Sequence, residues 1–426
     1  MHTKKKVLSI VLVFLLLAGT VFGAKFIPKE EVIQDSAFSA KDTLYFWYAD
    51  ASLTDHLTNA AAAYYEENGV HVIPVLKTGL EYLEEINAAS LHPTEESQPA
   101  PDLYMITNDS LEKAYLSGLA VPVRENNAVC NTKMVPQAAL DAVTYKGKQV
   151  AYPLYYETSV FLYNKTYLEN AEKALPRTID ELLVFADEYD APEQVEAVFK
   201  WDVSDIFYNY YFTGNYMNVG GPTGDDLQQI DIANEKTKAC LDIYQNLNQF
   251  FSIEPKEVTY EKVLQDFIDG KIVMTVVTSD AIAKMAKAKS EGIFAYEYGM
   301  EKMPDLTSGL KGKSLSVTNG IAINGYSEKA QAANDFAEYL VTRHSAKMYE
   351  NTGKLSACYE NAKEDAFMKA FMDEYENSAP MPKLLGAGNF WVQLEICFSK
   401  IWTGADVAEQ LAELDAKMEQ QILASQ

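Results

Sequence analysis

The stretch "TLYFWYADASLTDHLTNAAAAYYEENGVHVIPVL", residues 43–76, decides the fold class. Thr43 to Tyr48 form a short run rich in β-branched and aromatic side chains, the composition of a strand. From about Thr54 to Asn68 the chain reads as a helix, and Gly69 supplies the left-handed stop. "VHVIPVL" is the next strand. Strand, helix, strand in this order predicts a largely parallel sheet wrapped by helices. Downstream, "LEYLEEINAASL" reads as a helix, "HPTEESQPAP" as a polar loop, and "DLYMIT" as a strand with a helix after it.

A second alternating segment follows. "TIDELLVFADEY" is a helix opened by Thr178 with Glu181 three places on, the spacing of a capping box. "QVEAVFKW" reads as a strand, "TYEKVLQDFIDG" as a helix closed by Gly270, and "KIVMTVV" as a strand running into Thr278, Ser279 and Asp280. "GIAI" is one more strand-like piece before a helix that starts near Ser327. From Ala330 onward the pattern is almost entirely helical. With 426 residues and 48% hydrophobic content, the chain is too long for one core, so two packed lobes are expected.

Charge removes one class of function. Sixty-one acidic against 36 basic side chains give a formal net charge of -25 with no basic stripe, which argues against nucleic-acid binding. The N-terminus is the exception to this acidity. Lys4, Lys5 and Lys6 precede "VLSIVLVFLLLAGTVF", the order of an export signal, so the rest of the chain is expected outside the cytoplasmic membrane. Residues 1–24 read as a signal peptide or as an uncleaved membrane anchor, and residues 25–41 as a polar tether. "LAGT" resembles a lipobox with Thr20 where the lipid-bearing cysteine belongs, so no lipid is expected there. Cys130, Cys240, Cys358 and Cys397 leave two readings open, a disulfide in an exported chain or small buried hydrophobes on apolar helix faces. Five scattered histidines show no zinc spacing, and no cofactor or metal is expected.

In sheets of this kind ligands settle at the carboxyl ends of the strands. That rule selects Tyr48, Asp50 and Ser52 after the first strand, and Asn108 and Asp109 after the third. Each of Ser52, Asp109 and Ser110 also stands where a helix N-cap would. A further signal lies in "AYPLYYETSVFLYNK", Ala151 to Lys165, where Glu157 is the one carboxylate in an apolar, tyrosine-rich run. Desolvating an unpaired charge costs several kcal/mol, so Glu157 needs a partner.

Several ordered stretches carry a resemblance. They are "PDLYMITNDSLEKAYLSGLAVPV", "YKGKQVAYPLYYETSVFLYNKTYL" followed by "LPRTIDELLVFA", "FIDGKIVMTVVTSDA", and "SAPMPKLLGAGNFW". Together they make residues 42–426 resemble an extracellular solute-binding protein of an ABC sugar importer, of the group that includes the maltose/maltodextrin-binding proteins (bacterial solute-binding protein family 1). The resemblance implies a two-lobed α/β fold of the periplasmic-binding-protein type II, each lobe a mixed, mainly parallel sheet flanked by helices. It implies discontinuous lobes, residues 42–156 plus 321–366 and residues 157–320 plus 367–426, that close on a ligand by hinge motion. Glu157 would then face the cleft beside the hinge, with Tyr156 in its wall, and Trp391 would be the stacking platform for a sugar ring. Asp280 occupies the place where maltodextrin binders carry a stacking tryptophan, and Ser110 the place of an arginine, which puts a long α-glucan in doubt. "WDVSDIFYNYYF" supplies aromatics that would compensate, although at helical spacing most of them read as core. The implied partners are a small carbohydrate and ABC permease subunits, with the protein a monomer. Two other readings are a ligand sensor serving a signalling receptor and a glycan-processing enzyme, although no G-x-S-x-G, P-loop or G-x-G-x-x-G motif is present.

Overall fold

The protein is described here by a computed structural model that places residues 43–79, 81–92, 98–363, 365–384 and 390–425. The expected signal or anchor and the tether, residues 1–24 and 25–41, lie outside the described residues. Among the described residues no helix is long and apolar enough to cross a membrane.

The opening stretch folds as its composition dictates. Strand β1 (Thr43–Tyr48) leads to helix α1 (Thr54–Asn68) and strand β2 (His71–Leu76). Gly69 ends α1 at φ +70°, its N–H donating to Tyr65 O at 2.8 Å. On β1, Leu44, Phe46 and Tyr48 point into one apolar cluster and Trp47 into another, so both faces are buried. Helix α2 (Tyr82–Leu91) and strand β3 (Leu103–Thr107) follow, and β3 pairs in parallel with β1. Later come α3 (Gln137–Ala142) and β4 (Tyr152–Glu157), which belongs to the same sheet.

Only Thr158 and Ser159 separate β4 from β5 (Val160–Asn164), yet β5 lies in a second sheet. Both linking residues are buried, and Thr158 Oγ1 donates to Leu315 O at 2.8 Å. The second sheet gathers helix α4 (Ile179–Glu188), β6 (Ala197–Phe199), α5 (Glu235–Phe251), α6 (Tyr260–Ile268), β7 (Ile272–Val277), α7 (Asp280–Ser290) and β8 (Tyr298–Glu301), in the strand order β8-β5-β7-β6. The Thr178 cap forms, its Oγ1 accepting from Glu181 N at 3.1 Å, but the Glu181 carboxylate reaches one residue further back than a capping box requires and accepts from Arg177 N at 2.7 Å.

The chain returns through β9 (Leu315–Asn324), then α8 (Ala330–His344), α9 (Met348–Thr352), β10 (Leu355–Ser356), α10 (Ala366–Tyr375), β11 (Ala379–Pro380), α11 (Phe390–Trp402) and α12 (Val407–Ser425). The first sheet runs β10-β4-β9-β3-β1-β2, with β11 also paired to β9. Both sheets are mixed, as expected, but they are less parallel than expected. Strand β9 comes back from the other sheet without a helical crossover, so it enters from the opposite end and pairs antiparallel with both β3 and β4. In the second sheet β5 is likewise antiparallel to β7 and β8. All four cysteines are free; Cys240, Cys358 and Cys397 are buried hydrophobes, and Cys130 is half-buried.

Candidate functional site

Two polar clusters stand at strand ends, one in each sheet. The first is built at the carboxyl end of β1. Asp50 caps the turn after that strand, its Oδ1 accepting from Ser52 N at 2.9 Å and Ser52 Oγ at 2.7 Å. Its other oxygen faces Lys354 Nζ at 3.1 Å, and the same ammonium meets Glu157 Oε1 at 3.0 Å. Lys354 is thus the partner that Glu157 required. The lysine is delivered by Gly353, whose φ of +71° closes α9 and turns the chain toward β4. Its ammonium also lies 5.5 Å from the Tyr155 ring centroid. Burial works to lower the Lys354 pKa, but Glu157 and then Asp50 outweigh it and leave the value above that of a free lysine. Burial likewise works to raise the Asp50 pKa, yet the bonds from Ser52 and Lys354 hold it below the usual carboxylate range.

Beside this triad is a cavity of about 480 Å³, lined among others by Asp50, Tyr82, Thr107, Ser110, Tyr155 and Asn319. At its β3 side Thr107 Oγ1 donates to Asp109 Oδ1 at 2.5 Å. Lone-pair-rich carboxylates, amide groups and a tyrosine face around an open hollow suit a ligand carrying many hydroxyls and an apolar face.

The second cluster surrounds Asp280, at the first turn of α7, where a helix favours negative charge. Asp280 Oδ1 accepts from Tyr260 OH at 2.6 Å and Thr278 Oγ1 at 2.7 Å, while Oδ2 pairs with Lys284 at 2.6 Å. Desolvation would raise its pKa, but Lys284, Tyr260 and Thr278 together bring it below the ordinary value. Tyr260 stacks on Tyr208 with centroids 5.7 Å apart and 11° between planes. The clusters are joined through α9, where Tyr349 OH donates to Ser279 O at 3.0 Å five residues before Lys354.

The structure therefore brings Asp50, Ser52 and Glu157 together and sets Asp109 on the same side of the first sheet. Three other expected site residues are enclosed. Tyr48 lies in the core with its hydroxyl on Thr54 Oγ1 at 3.0 Å. Tyr156 is fully buried against Tyr375, rings stacked 3.9 Å apart at 2°. Asn108, 1% exposed, clamps Met381 O and Thr318 N, each at 2.9 Å. Trp391 is partly exposed at the first turn of α11, with its ring 5.6 Å from that of Tyr210. Lys354, Asn319 and Tyr260 were not singled out from sequence. Of the "WDVSDIFYNYYF" aromatics, Tyr210, Tyr211 and Phe212 are core, as helical spacing suggests, and Tyr208 reaches the Asp280 cluster through Tyr260. No group of three or more His, Cys, Asp or Glu among the described residues is placed to hold a metal ion.

Comparison with known proteins adds a family, two relatives and two solved structures. A family model described as "Bacterial extracellular solute-binding protein" matches residues 59–375. The maltodextrin-binding protein of Bacillus subtilis is 22% identical over 369 residues, covering 83% of this chain and 81% of the relative. A galactooligosaccharide-binding protein of the same organism is 22% identical over 395 residues, 88% of each. Among solved structures, an extracellular solute-binding protein of Staphylococcus aureus in complex with maltose superposes with a TM-score of 0.78 at 20% identity, covering 91% of this chain and 99% of that one. A maltose-binding periplasmic protein of Listeria monocytogenes, also with maltose, gives 0.75 at 20% identity over 91% and 100%. At that identity the likeness establishes the fold: two lobes of the periplasmic-binding type.

Proposed function

The chain belongs to the bacterial extracellular solute-binding proteins, and from that premise we propose that it captures a sugar or oligosaccharide by hinge closure and hands it to an ABC importer. The lobes are taken to be residues 42–156 plus 321–366 and residues 157–320 plus 367–426, and the packing of α10 on β8 and β5 of the second sheet supports the last of these crossings. The protein works as a stoichiometric carrier outside the cytoplasmic membrane and turns nothing over.

The observation that carries this reading is the Asp50–Lys354–Glu157 triad beside a hollow, reached through Asp50, whose walls combine Thr107, Ser110, Asn319 and two tyrosines with apolar side chains such as Leu53, Leu83 and Met105. Carboxylates positioned by a lysine keep spare lone pairs for ligand hydroxyls. The Asp280–Tyr260–Tyr208 cluster, linked to the triad through α9, is taken as the other lobe's contribution, and Trp391 as the stacking face. A ligand touching both sets favours the closed form to the extent that it binds that form better; moving the equilibrium from 1:99 to 99:1 takes roughly 5.5 kcal/mol. A few shared hydroxyl bonds at about 1 kcal/mol net each, with one stacked ring, reach that order. Maltodextrins and galacto-oligosaccharides, bound by the two relatives according to their names, are the first ligands to try.

Calorimetry against a glycan panel tests the proposal. Saturable binding of a neutral sugar is expected, weakened tenfold or more in both Glu157→Ala and Trp391→Ala, with no reducing ends released on incubation. Wild-type affinity in both variants would remove the site assignment.

A further inference from the structure

A second cavity, of about 770 Å³, shares no lining residue with the hollow beside Asp50. One wall is α3, with Gln137 and Asp141, which packs on β4 and β9 of the first sheet. The facing wall is the chain around Tyr210 and Asn215, which packs against α5. Lys313 enters between them. Its backbone N–H donates to Tyr211 O at 3.0 Å, fixing the residue beside the turn that carries Tyr210. The Lys313 ammonium makes no hydrogen bond or ion pair with any described residue, and neither does the Tyr210 hydroxyl, although the Tyr210 side chain is 3% exposed. Burial draws the Lys313 pKa below that of a free lysine, with Asp141 pulling the other way from beyond contact distance. Both residues, the half-buried Lys313 and the buried Tyr210, line the cavity, so a ligand held there supplies the polar partner that the described residues do not.

We propose that this cavity is a second ligand site, for a small sugar acid whose single carboxylate takes Lys313 as counter-ion and Tyr210 as a donor. The class follows from the remaining lining groups. Gln137, Asn215 and Asn218 suit hydroxyls, Lys236 lies over the Tyr216 ring at 5.2 Å, and the four carboxylates Asp141, Asp231, Glu235 and Glu376 disfavour a second negative charge on the ligand. Because one wall rides on the first sheet and the other on elements of the second, occupancy depends on how the lobes are set. Binding here and sugar capture in the cleft are then coupled, each altering the other by the same factor.

Titrating sodium glucuronate into the full chain, with glucose as its neutral match, tests the assignment by calorimetry. Saturable glucuronate binding is expected, weakened roughly tenfold or more by Lys313→Met and a few-fold by Tyr210→Phe, which removes a single oxygen and so leaves the fold intact. Glu157→Ala is expected to change it by no more than the coupling factor, about fivefold. The proposal is overturned if glucuronate fails to saturate, if glucose binds the same site as well, or if Lys313→Met and Tyr210→Phe both bind as the wild type does. Abolition of glucuronate binding by Glu157→Ala overturns it too, by moving the acid to the cleft. Failure of neutral sugars to bind would strike the cleft assignment alone.

Discussion

Replacing Lys354 by methionine keeps the length and apolar stem of the side chain and removes one charge, which isolates what the ammonium does. In the native site that charge lies 3.1 Å from Asp50 and 3.0 Å from Glu157, with the three side chains 24%, 32% and 42% exposed. Ion pairs at that exposure are worth about 0.2–1 kcal/mol each, so losing both pairs costs about 1–2 kcal/mol of stability, including the repulsion left between two carboxylates. Ligand binding is expected to suffer more. A hydrogen bond to a charged group contributes about 1.5–3 kcal/mol, and a carboxylate that is no longer held in place forfeits that advantage. The predicted rise in Kd is therefore roughly 10- to 100-fold. Thermal denaturation and calorimetry on the same preparation separate the two effects, since a fall of 1–2 kcal/mol leaves almost all molecules folded at 25 °C. An unchanged Kd would refute the idea that Lys354 organises the acids for a ligand. A tighter Kd would refute it differently, by making the lysine a plug that ligands must displace.

The remaining expectations are briefer. His56, 1% exposed, has its pKa lowered to about 4 by burial and by His344, so the unfolded chain binds the extra proton between about pH 4 and 6.5. Stability is therefore present above pH 6.5 and lost as pH falls through that window, and chemical denaturation at pH 7 and pH 5 is expected to show a drop that His56→Phe reduces; an equal drop in the variant would exclude His56 as its source. Lys383, equally buried, has its pKa lowered to about 8 by desolvation, against the pull of Asp225 and Asp141. Here the unfolded chain binds the extra proton between about pH 8 and 10.4, so stability rises with pH across that range, and a Lys383→Met protein is expected to lack the rise. Tyr260→Phe deletes the 2.6 Å bond to Asp280, which is expected to cost about 1 kcal/mol in denaturant melts and a few-fold in sugar affinity, and equal affinity would take the Asp280 cluster out of the site. Thr178→Ala removes the cap on α4 and is expected to cost about 1 kcal/mol without altering any ligand affinity.

What could be read from sequence divides along a physical line. Gly69, Thr178 and Gly270 act on their own neighbours within a helical turn, so the ends of α1, α4 and α6 were legible from a few adjacent residues. Asp50 and Asp280 were legible as candidates for the same reason, since a strand end followed by a helix start is a local event. The direction of β9 was not: "GIAI" announces a strand, but nothing within it says that the chain arrives from another sheet and so runs against both neighbours. Lys354 was hidden more completely. It sits in "TGKLSACYE" as one of many lysines, and its partner Glu157 is 197 positions away. The clue lay with the partner, because an acid among tyrosines demands a counter-charge or a ligand, and sequence reasoning supplied the ligand and overlooked the lysine. That error refines the mechanism. On the proposed function, a bare Glu157 would have to be desolvated by the sugar itself, whereas a Glu157 paired with Lys354 would meet the ligand with part of that cost already offset, organising the site before the lobes close.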